Sequence, residues 1–361
     1  MYFKRKKTKK LWLKDVAVGG DAPIVVQSMN NTDTRDIIAT LAQIDKLAEL
    51  GCEVTRVAVP DKEAALALKE IVEKSPIPVI ADIHFQAELA LLAIENNIAG
   101  LRINPGNIGS EDKVKLIAQA AKSKNIPIRV GVNSGSLDPQ IRDEMGGVNA
   151  DSMVASALKF CAMLEKFDFR DICVSIKASD AKLTIESYRK LSEKVDYPLH
   201  LGVTEAGTPK EGIVRSAVGI GTLLAEGIGD TIRVSLTADP TLEVETAYSI
   251  LKSLNLRSKG PLLIACPTCG RTEVPLQALA EEVEDLLKDI KEPIKVAVMG
   301  CPVNGPGEAR DADCGIAGGR NFYVIFRDGE IVDKVSQEEA LAALMREVNL
   351  ACQRFRKKHS I

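Results

Sequence analysis

The sequence predicts an α/β protein: a (β/α)8 TIM barrel followed by a smaller α/β domain. Short β-branched runs alternate with helical stretches of 3.6-residue apolar period through the first two-thirds of the chain. Eight such units fall within roughly 240 residues, which suits a closed barrel better than an open doubly wound sheet. From about Leu262 the rhythm changes, and strands run into loops rich in cysteine, proline and glycine.

In chain order, the run Lys4-Arg-Lys-Lys-Thr-Lys-Lys10 lacks the apolar core of a signal peptide and reads as the solvated edge of an N-terminal β element. The eight barrel strands are expected at Ile24–Ser28, Val54–Pro60, Pro78–His84, Gly100–Asn104, Pro127–Asn133, Asp171–Ser179, Pro198–Thr204 and Thr231–Thr237. Between the first two, Ile38, Leu41, Ile44, Leu47 and Ala48 mark one buried helical stripe. No GxGxxG follows the first strand, which argues against a dinucleotide fold. A boundary near Ser258-Lys-Gly-Pro261 divides a barrel domain, 1–258, from a second domain, 259–361. There the pattern predicts a strand at Leu262–Ala265, a helix at Leu276–Asp289 and a strand at Lys295–Met299. A hairpin turning at Asp328-Gly329 follows (Asn321–Arg327 and Glu330–Val335), and a helix over Gln337–Phe355 ends the pattern.

Composition narrows the function classes. Among 361 residues, 47 basic side chains face 50 acidic ones, so no bulk attraction to nucleic acid is implied. No apolar stretch approaches the ~18 residues of a membrane span. Eight cysteines without a secretory signal point to a reducing cytoplasm and not to a disulfide framework. Cys52, Cys161, Cys173 and Cys352 sit in apolar contexts and read as small core side chains.

Two constellations carry chemistry. Cys266-Pro-Thr-Cys269 and a third thiol, Cys301, in a Gly/Pro-rich loop can grip one metal centre. An incomplete thiolate set with a carboxylate nearby suits a reactive centre, since structural sites close their coordination. On the residues alone an iron–sulfur centre, a zinc site completed by Cys314 from the same loop region, and no metal all stay open. The second constellation is a ring of cations. Arg56, Arg102, Arg129 and Arg233 occupy similar points in four strands, and Lys177 adds a fifth charge. Unpaired charge inside a barrel costs several kcal/mol, so core packing does not explain the repetition. At the C-terminal strand ends such groups suit a polyanion, and guanidinium forks match diphosphate oxygens. Asn30, Asp82, His84, Asn104, Asn133, Ser134, Ser136, His200, Thr204, Glu205 and Ser235 lie at the same ends. The competing reading is a structural salt-bridge lattice, with Asp82 and Glu205 neutralising two of the cations.

The strings CPTCGRT (266–272), GCPVNGPGEA (300–309) and GIAGG (315–319), with VQSMNNTDT (26–34), ADIHF (81–85), LRINPGN (101–107) and GVNSGSL (131–137), resemble the 4-hydroxy-3-methylbut-2-en-1-yl diphosphate synthase family over nearly the whole chain. By length the chain resembles the two-domain bacterial form. The resemblance implies reductive ring opening and dehydration of 2-C-methyl-D-erythritol 2,4-cyclodiphosphate in the methylerythritol phosphate route to isoprenoid precursors. It implies a [4Fe–4S] cluster held by Cys266, Cys269, Cys301 and Glu308, with Cys314 a bystander. Arg56, Arg102, Asn104, Arg129, Asn133, Ser134, Ser136, Lys177, Thr204, Arg233 and Ser235 are then expected to bind the diphosphate. Glu205 would deliver the proton, with His84 and Asp82 orienting. Electrons would come from ferredoxin or flavodoxin. A cytoplasmic homodimer is expected, each cluster domain capping its partner's barrel. The rival functions are a zinc-stabilised barrel transferase acting on a phosphorylated substrate and a non-catalytic iron–sulfur carrier.

Overall fold

A computed structural model describes residues 4–301 and 309–359. The chain divides into two compact units, Met1–Arg257 and Ser258–Ile361.

The first unit opens with a small antiparallel hairpin, β1 (Leu11–Leu13) and β2 (Val16–Val18). The parallel strands β3 (Val25–Met29), β4 (Val54–Ala58), β5 (Val79–Asp82), β6 (Gly100–Ile103), β7 (Ile128–Asn133), β8 (Ile172–Lys177), β9 (His200–Leu201) and β10 (Thr231–Ile232) follow. They pair in sequence order, β10 pairs with β3, and a bridge between Val174 and Leu199 joins β8 to β9. Walked once round this ring, the strand register returns to β3 eight residues from its start. That offset is the shear of a closed eight-stranded TIM barrel. All eight expected strands are present, and β9 and β10 are shorter than the apolar runs suggest. Beyond Leu201 the backbone soon enters a turn at Glu205, whose φ of 52° cannot continue a strand.

The connecting helices lie outside the wall. Several begin on aspartate N-caps: Asp36, Asp61, Asp180 and Asp239 each accept a bond from a first-turn N–H, worth about 1 kcal/mol apiece. The main apolar core fills the space between the outer strand faces (Val26, Val57, Leu101, Val130, Val174) and helix residues such as Ile44, Leu68 and Ile117. In the first helix, Ile37–Glu49, the buried stripe runs through Thr40, Ile44 and Leu47. Ile38 is not on it: at 83% exposure it points away, because one residue rotates a helical position by about 100°.

The basic N-terminal run is more than a solvated edge. Thr8 is buried and donates to Asp230 Oδ1 at 2.9 Å, Arg5 pairs with the same carboxylate, and Lys6 Nζ donates to the carbonyl of Val195. These bonds hold the hairpin against the N-terminal end of the barrel, where Val18 packs on Val25, Val54 and Ile80. Buried carbonyls and a buried carboxylate at the barrel base need donors, and this run supplies them.

The second unit is a five-stranded sheet ordered β11 (Leu262–Ala265), β12 (Lys295–Met299), β13 (Cys314–Gly319), β14 (Phe322–Arg327) and β15 (Glu330–Val335). β11, β12 and β13 are parallel; β13–β14–β15 are antiparallel. Helices Leu276–Leu287 and Ala340–His359 bury Leu279, Val283, Leu344 and Val348 against it. β13 departs from the expected loop. Its small residues allow close packing, since a Cβ at Gly315 would sit 2.3 Å from the Phe326 ring. Such a glycine-rich strand carries little β-propensity to read.

Candidate active site

Alternation along a strand sends every second side chain into the barrel, and the register sorts these into layers of four from alternate strands. From the N-terminal end they are Val54, Gly100, Cys173 and Thr231; Gln27, Ile80, Arg129 and His200; Arg56, Arg102, Ser175 and Arg233; Met29, Asp82, Gly131 and Gly202; then Ala58, Asn104, Lys177 and Ser235. The apolar core is therefore outside the wall, whereas the interior is polar and cationic. Glycines make room for it. A Cβ at Gly131 would lie 2.3 Å from Arg102 Nε, and one at Gly202 would lie 2.6 Å from Lys177 Nζ.

The four arginines do share the interior, but not one level. Arg129 lies one layer deeper, with Nη1 donating to Gln27 Oε1 at 2.7 Å. Its Nε and Nη2 have no partner among the described residues, nor does Nε2 of the fully buried His200. Burial pulls the Arg129 pKa down to about 10. Burial, then the surrounding cations, presses His200 well below the ordinary histidine value, so it stays neutral. These two residues, with Gln27, Cys173 and Thr231, line a cavity of about 30 Å³ closed below by Leu11, Leu13 and Val18. The Cys173 thiol is pushed up to about 12, burial being the largest cause.

In the next layers Asp82 is the hub. Its side chain is 4% exposed and takes Arg102 Nη1 at 3.2 Å, Arg56 Nε at 3.5 Å and His84 Nε2 at 3.6 Å. Burial opposes its ionisation, yet Arg56, His84 and Arg102 more than reverse this and hold the carboxyl far below the usual range. Arg102 also donates to the carbonyl of Gly131 at 3.3 Å, and Arg56 Nη2 to Met29 Sδ at 2.8 Å. Arg233 pairs with Glu243 at 3.4 Å; Glu243 comes from helix Pro240–Ser253 and also accepts from Ser28 and from the Leu236 amide. Lys177 is buried, with no hydrogen-bond partner among the described residues. Burial and then four neighbouring arginines hold its pKa well below the ordinary lysine value. A cation forced down in this way is one that an anion would restore.

Around this interior, Asn104 is committed to its own loops, accepting from Gly106 N and donating to Ser136 O at 3.0 Å each. Ser136 Oγ accepts from Asn133 N at 3.1 Å, which folds the Ser134–Ser136 turn over the end of β7. Asn30 bonds Thr55 and Gln43 and serves the wall. Ser235 and Thr204 are half-buried just past β10 and β9. Glu205 is exposed in the left-handed region, a conformation a glutamate adopts at a cost of about 1–2 kcal/mol and one found preferentially at functional turns. His84 is 54% exposed. Sequence reasoning missed Glu243 and Gln27, which orient two of the cations. The only signals were a glutamate in a helix's first turn, and a glutamine alternating inward with Val25 and Met29.

In the second unit Cys266 and Cys301 follow adjacent parallel strands at the same end of the sheet. Cys266 N donates to Val298 O at 3.1 Å, and Gly300 N donates to Cys266 Sγ at 3.2 Å. Cys269 is exposed, on a turn fixed by Thr272 Oγ1 accepting from Cys269 N. Among the described residues the thiols do not form a closed ligand set; Glu308 lies outside the described residues. Two thiols at neighbouring strand ends, with a backbone N–H aimed at sulfur, are the donor chemistry an iron–sulfur centre takes. Cys314 does not share the Cys301 loop. It begins β13, fully buried, opposite Val296, so five strand residues, roughly 16 Å, separate it from the level of Cys301. Its thiol is pushed up to about 12, chiefly by burial. A zinc site completed by Cys314 is thereby removed.

Residues 8–248 match the model of the GcpE TIM-barrel domain and 262–350 that of the GcpE protein C-terminal domain. The chain is 57% identical to the 4-hydroxy-3-methylbut-2-en-1-yl diphosphate synthase (flavodoxin) of Clostridium tetani, over 95% of this chain and 99% of that one. The namesake from Maridesulfovibrio salexigens is 57% identical over 96% and 97%, and that from Fusobacterium nucleatum 52% over 95% and 97%. Among solved structures, dihydropteroate synthase from Stenotrophomonas maltophilia superposes with a TM-score of 0.50 at 13% identity, covering 68% of this chain and 99% of that one. At that identity the likeness is one of barrel fold alone. With both units matched and near-complete relatives at more than half identity, this chain belongs to the 4-hydroxy-3-methylbut-2-en-1-yl diphosphate synthase family.

Proposed function

We propose that this chain converts 2-C-methyl-D-erythritol 2,4-cyclodiphosphate to (E)-4-hydroxy-3-methylbut-2-enyl diphosphate, as an iron–sulfur oxidoreductase of isoprenoid precursor synthesis. The observation that carries the reading at the site is the glycine-lined barrel interior holding Arg56, Arg102, Arg129, Lys177 and Arg233 with, among the described residues, Asp82 and Glu243 paired against them. A transferase reading draws no support from the relatives, which are synthases of one name.

Balanced, the reaction takes two electrons and one proton. The C2–O and C3–O bonds break, a C2=C3 double bond forms, and water leaves with a linear diphosphate. The cations grip the diphosphate, with Asn133, Ser134, Ser136 and Ser235 at its edge, so that it leaves C2 while staying tethered through C4. Asn104 and Thr204 shape that edge. Glu205 brings the proton to the C3 oxygen, and Asp82 and His84 orient it. Cys266, Cys269, Cys301 and Glu308 would hold a [4Fe–4S] cluster, which when bound supplies electrons singly. The relatives' names carry flavodoxin, and a flavodoxin is the proposed donor here. No helix among the described residues is long and apolar enough to cross a membrane; we place the enzyme in the cytoplasm. We place it there as a homodimer in which each cluster domain, 259–361, caps the partner's barrel domain, 1–258. A monomer fully active at high dilution would remove that arrangement.

Anaerobic purification, iron and acid-labile sulfide analysis, and turnover of the cyclodiphosphate with a low-potential reductant test the assignment. Cluster-replete protein that leaves the substrate unchanged overturns it.

A further inference from the structure

The interior carries more positive charge than a cyclic diphosphate can match. Arg56, Arg102, Arg129, Lys177 and Arg233 are buried or nearly so, and the carboxylates paired with them among the described residues are Asp82, shared between Arg56 and Arg102, and Glu243, paired with Arg233. Arg129 has a neutral amide for a partner and Lys177 has none among the described residues. Five cations against two carboxylates leave an excess of three. Each phosphorus of a cyclic diphosphate keeps one ionisable oxygen, so the substrate brings two negative charges. Breaking the C2–O bond frees a terminal phosphate, whose further ionisation lies near pH 6. The opened diphosphate therefore brings about three charges at neutral pH and above.

Resting on the function proposed above, we propose that the barrel is charge-matched to the opened diphosphate and not to the cyclic one. Linear diphosphates, inorganic pyrophosphate included, then occupy this site more tightly than diesterified or cyclic ones. The unmatched charge is realised only as the C2–O bond breaks, which is where binding energy accelerates a reaction. It has a consequence for regulation: product and free pyrophosphate compete with substrate.

Calorimetry on the cluster-loaded protein at pH 8 and fixed ionic strength tests this with inorganic pyrophosphate against P1,P2-dimethyl diphosphate, a dianion of similar shape. Pyrophosphate is expected to bind at least about tenfold more tightly. It is also expected to raise the apparent KM for the cyclodiphosphate without changing kcat. In Arg233→Gln the preference for pyrophosphate should shrink; the wild-type comparison stands if that variant does not fold. Equal affinity for the two ligands overturns the charge-matching while leaving the diphosphate site in place. Binding of neither overturns both.

Discussion

Replacing Asp82 with asparagine tests whether the cation layer rests on one carboxylate. The substitution keeps the shape and one acceptor oxygen but removes the charge that Arg102 meets at 3.2 Å and Arg56 at 3.5 Å. Breaking a buried pair by removing one partner costs about 3–5 kcal/mol, because the other charge stays buried and uncompensated. Two arginines lose their counter-charge here, while the amide oxygen still accepts one bond; about 3 kcal/mol is the expected loss. For a unit of this size that is about 6–12 °C in Tm. The sign with pH follows from linkage. Asp82 is held below its ordinary 3.8 in the folded barrel. Its contribution is therefore fully present above pH ~4 and is lost as pH falls through the lowered folded value. The gap between wild type and D82N should stay flat from about pH 5 to 8 and narrow only on strong acidification. Thermal unfolding of the cluster-loaded protein at several pH values reads both. A D82N melting temperature within a degree or two of wild type would mean that solvent, not Asp82, neutralises the arginines.

Gly202→Ala should cost about 1–3 kcal/mol and weaken diphosphate binding severalfold. Its Cβ would lie 2.6 Å from Lys177 Nζ and 2.7 Å from the Arg233 carbonyl oxygen, an atom that cannot swing aside. Titration of G202A with pyrophosphate checks it, and wild-type affinity would argue that Lys177 is not at the anion. Cys314→Ala should leave iron and acid-labile sulfide per chain unchanged, whereas Cys301→Ala should lose them; iron loss in C314A would contradict the β12–β13 register. Glu205→Gln should lower kcat by roughly 10²–10⁴ with little change in KM, as expected for a proton donor. Unchanged kcat takes Glu205 off the proton path.

Periodicity made the barrel legible. Eight β-branched runs alternating with amphipathic helices leave few other arrangements, and the repeated arginine in four of them pointed inward because alternation is strict. What periodicity could not supply is height. The step of one residue per strand, set by the shear, drops Arg129 below Arg56, Arg102 and Arg233, although all four look equivalent in aligned strands. Nor could it find Glu243, which reaches Arg233 from the first turn of the helix after β10, because periodicity does not show that this turn folds back onto the barrel interior. The N-terminal lysines and Arg5 looked solvated because composition cannot see Asp230 and the carbonyls at the barrel base that need them.

In the second unit the cysteine spacing was readable, because Cys266-Pro-Thr-Cys269 is local. Whether Cys301 or Cys314 joins it was not, since that depends on where two distant strands stop. Amino-acid order alone determined which residue types this protein has for its chemistry: three loop thiols, five strand cations and the glycines between them. Tertiary structure decided which of them meet. Sheet register places Cys266 and Cys301 at one end and Cys314 at the other. Barrel shear stacks the cations over a buried neutral His200, with fewer carboxylates than cations among the described residues. Register and shear are properties of pairings between strands, and those pairings are long-range contacts that no local pattern encodes.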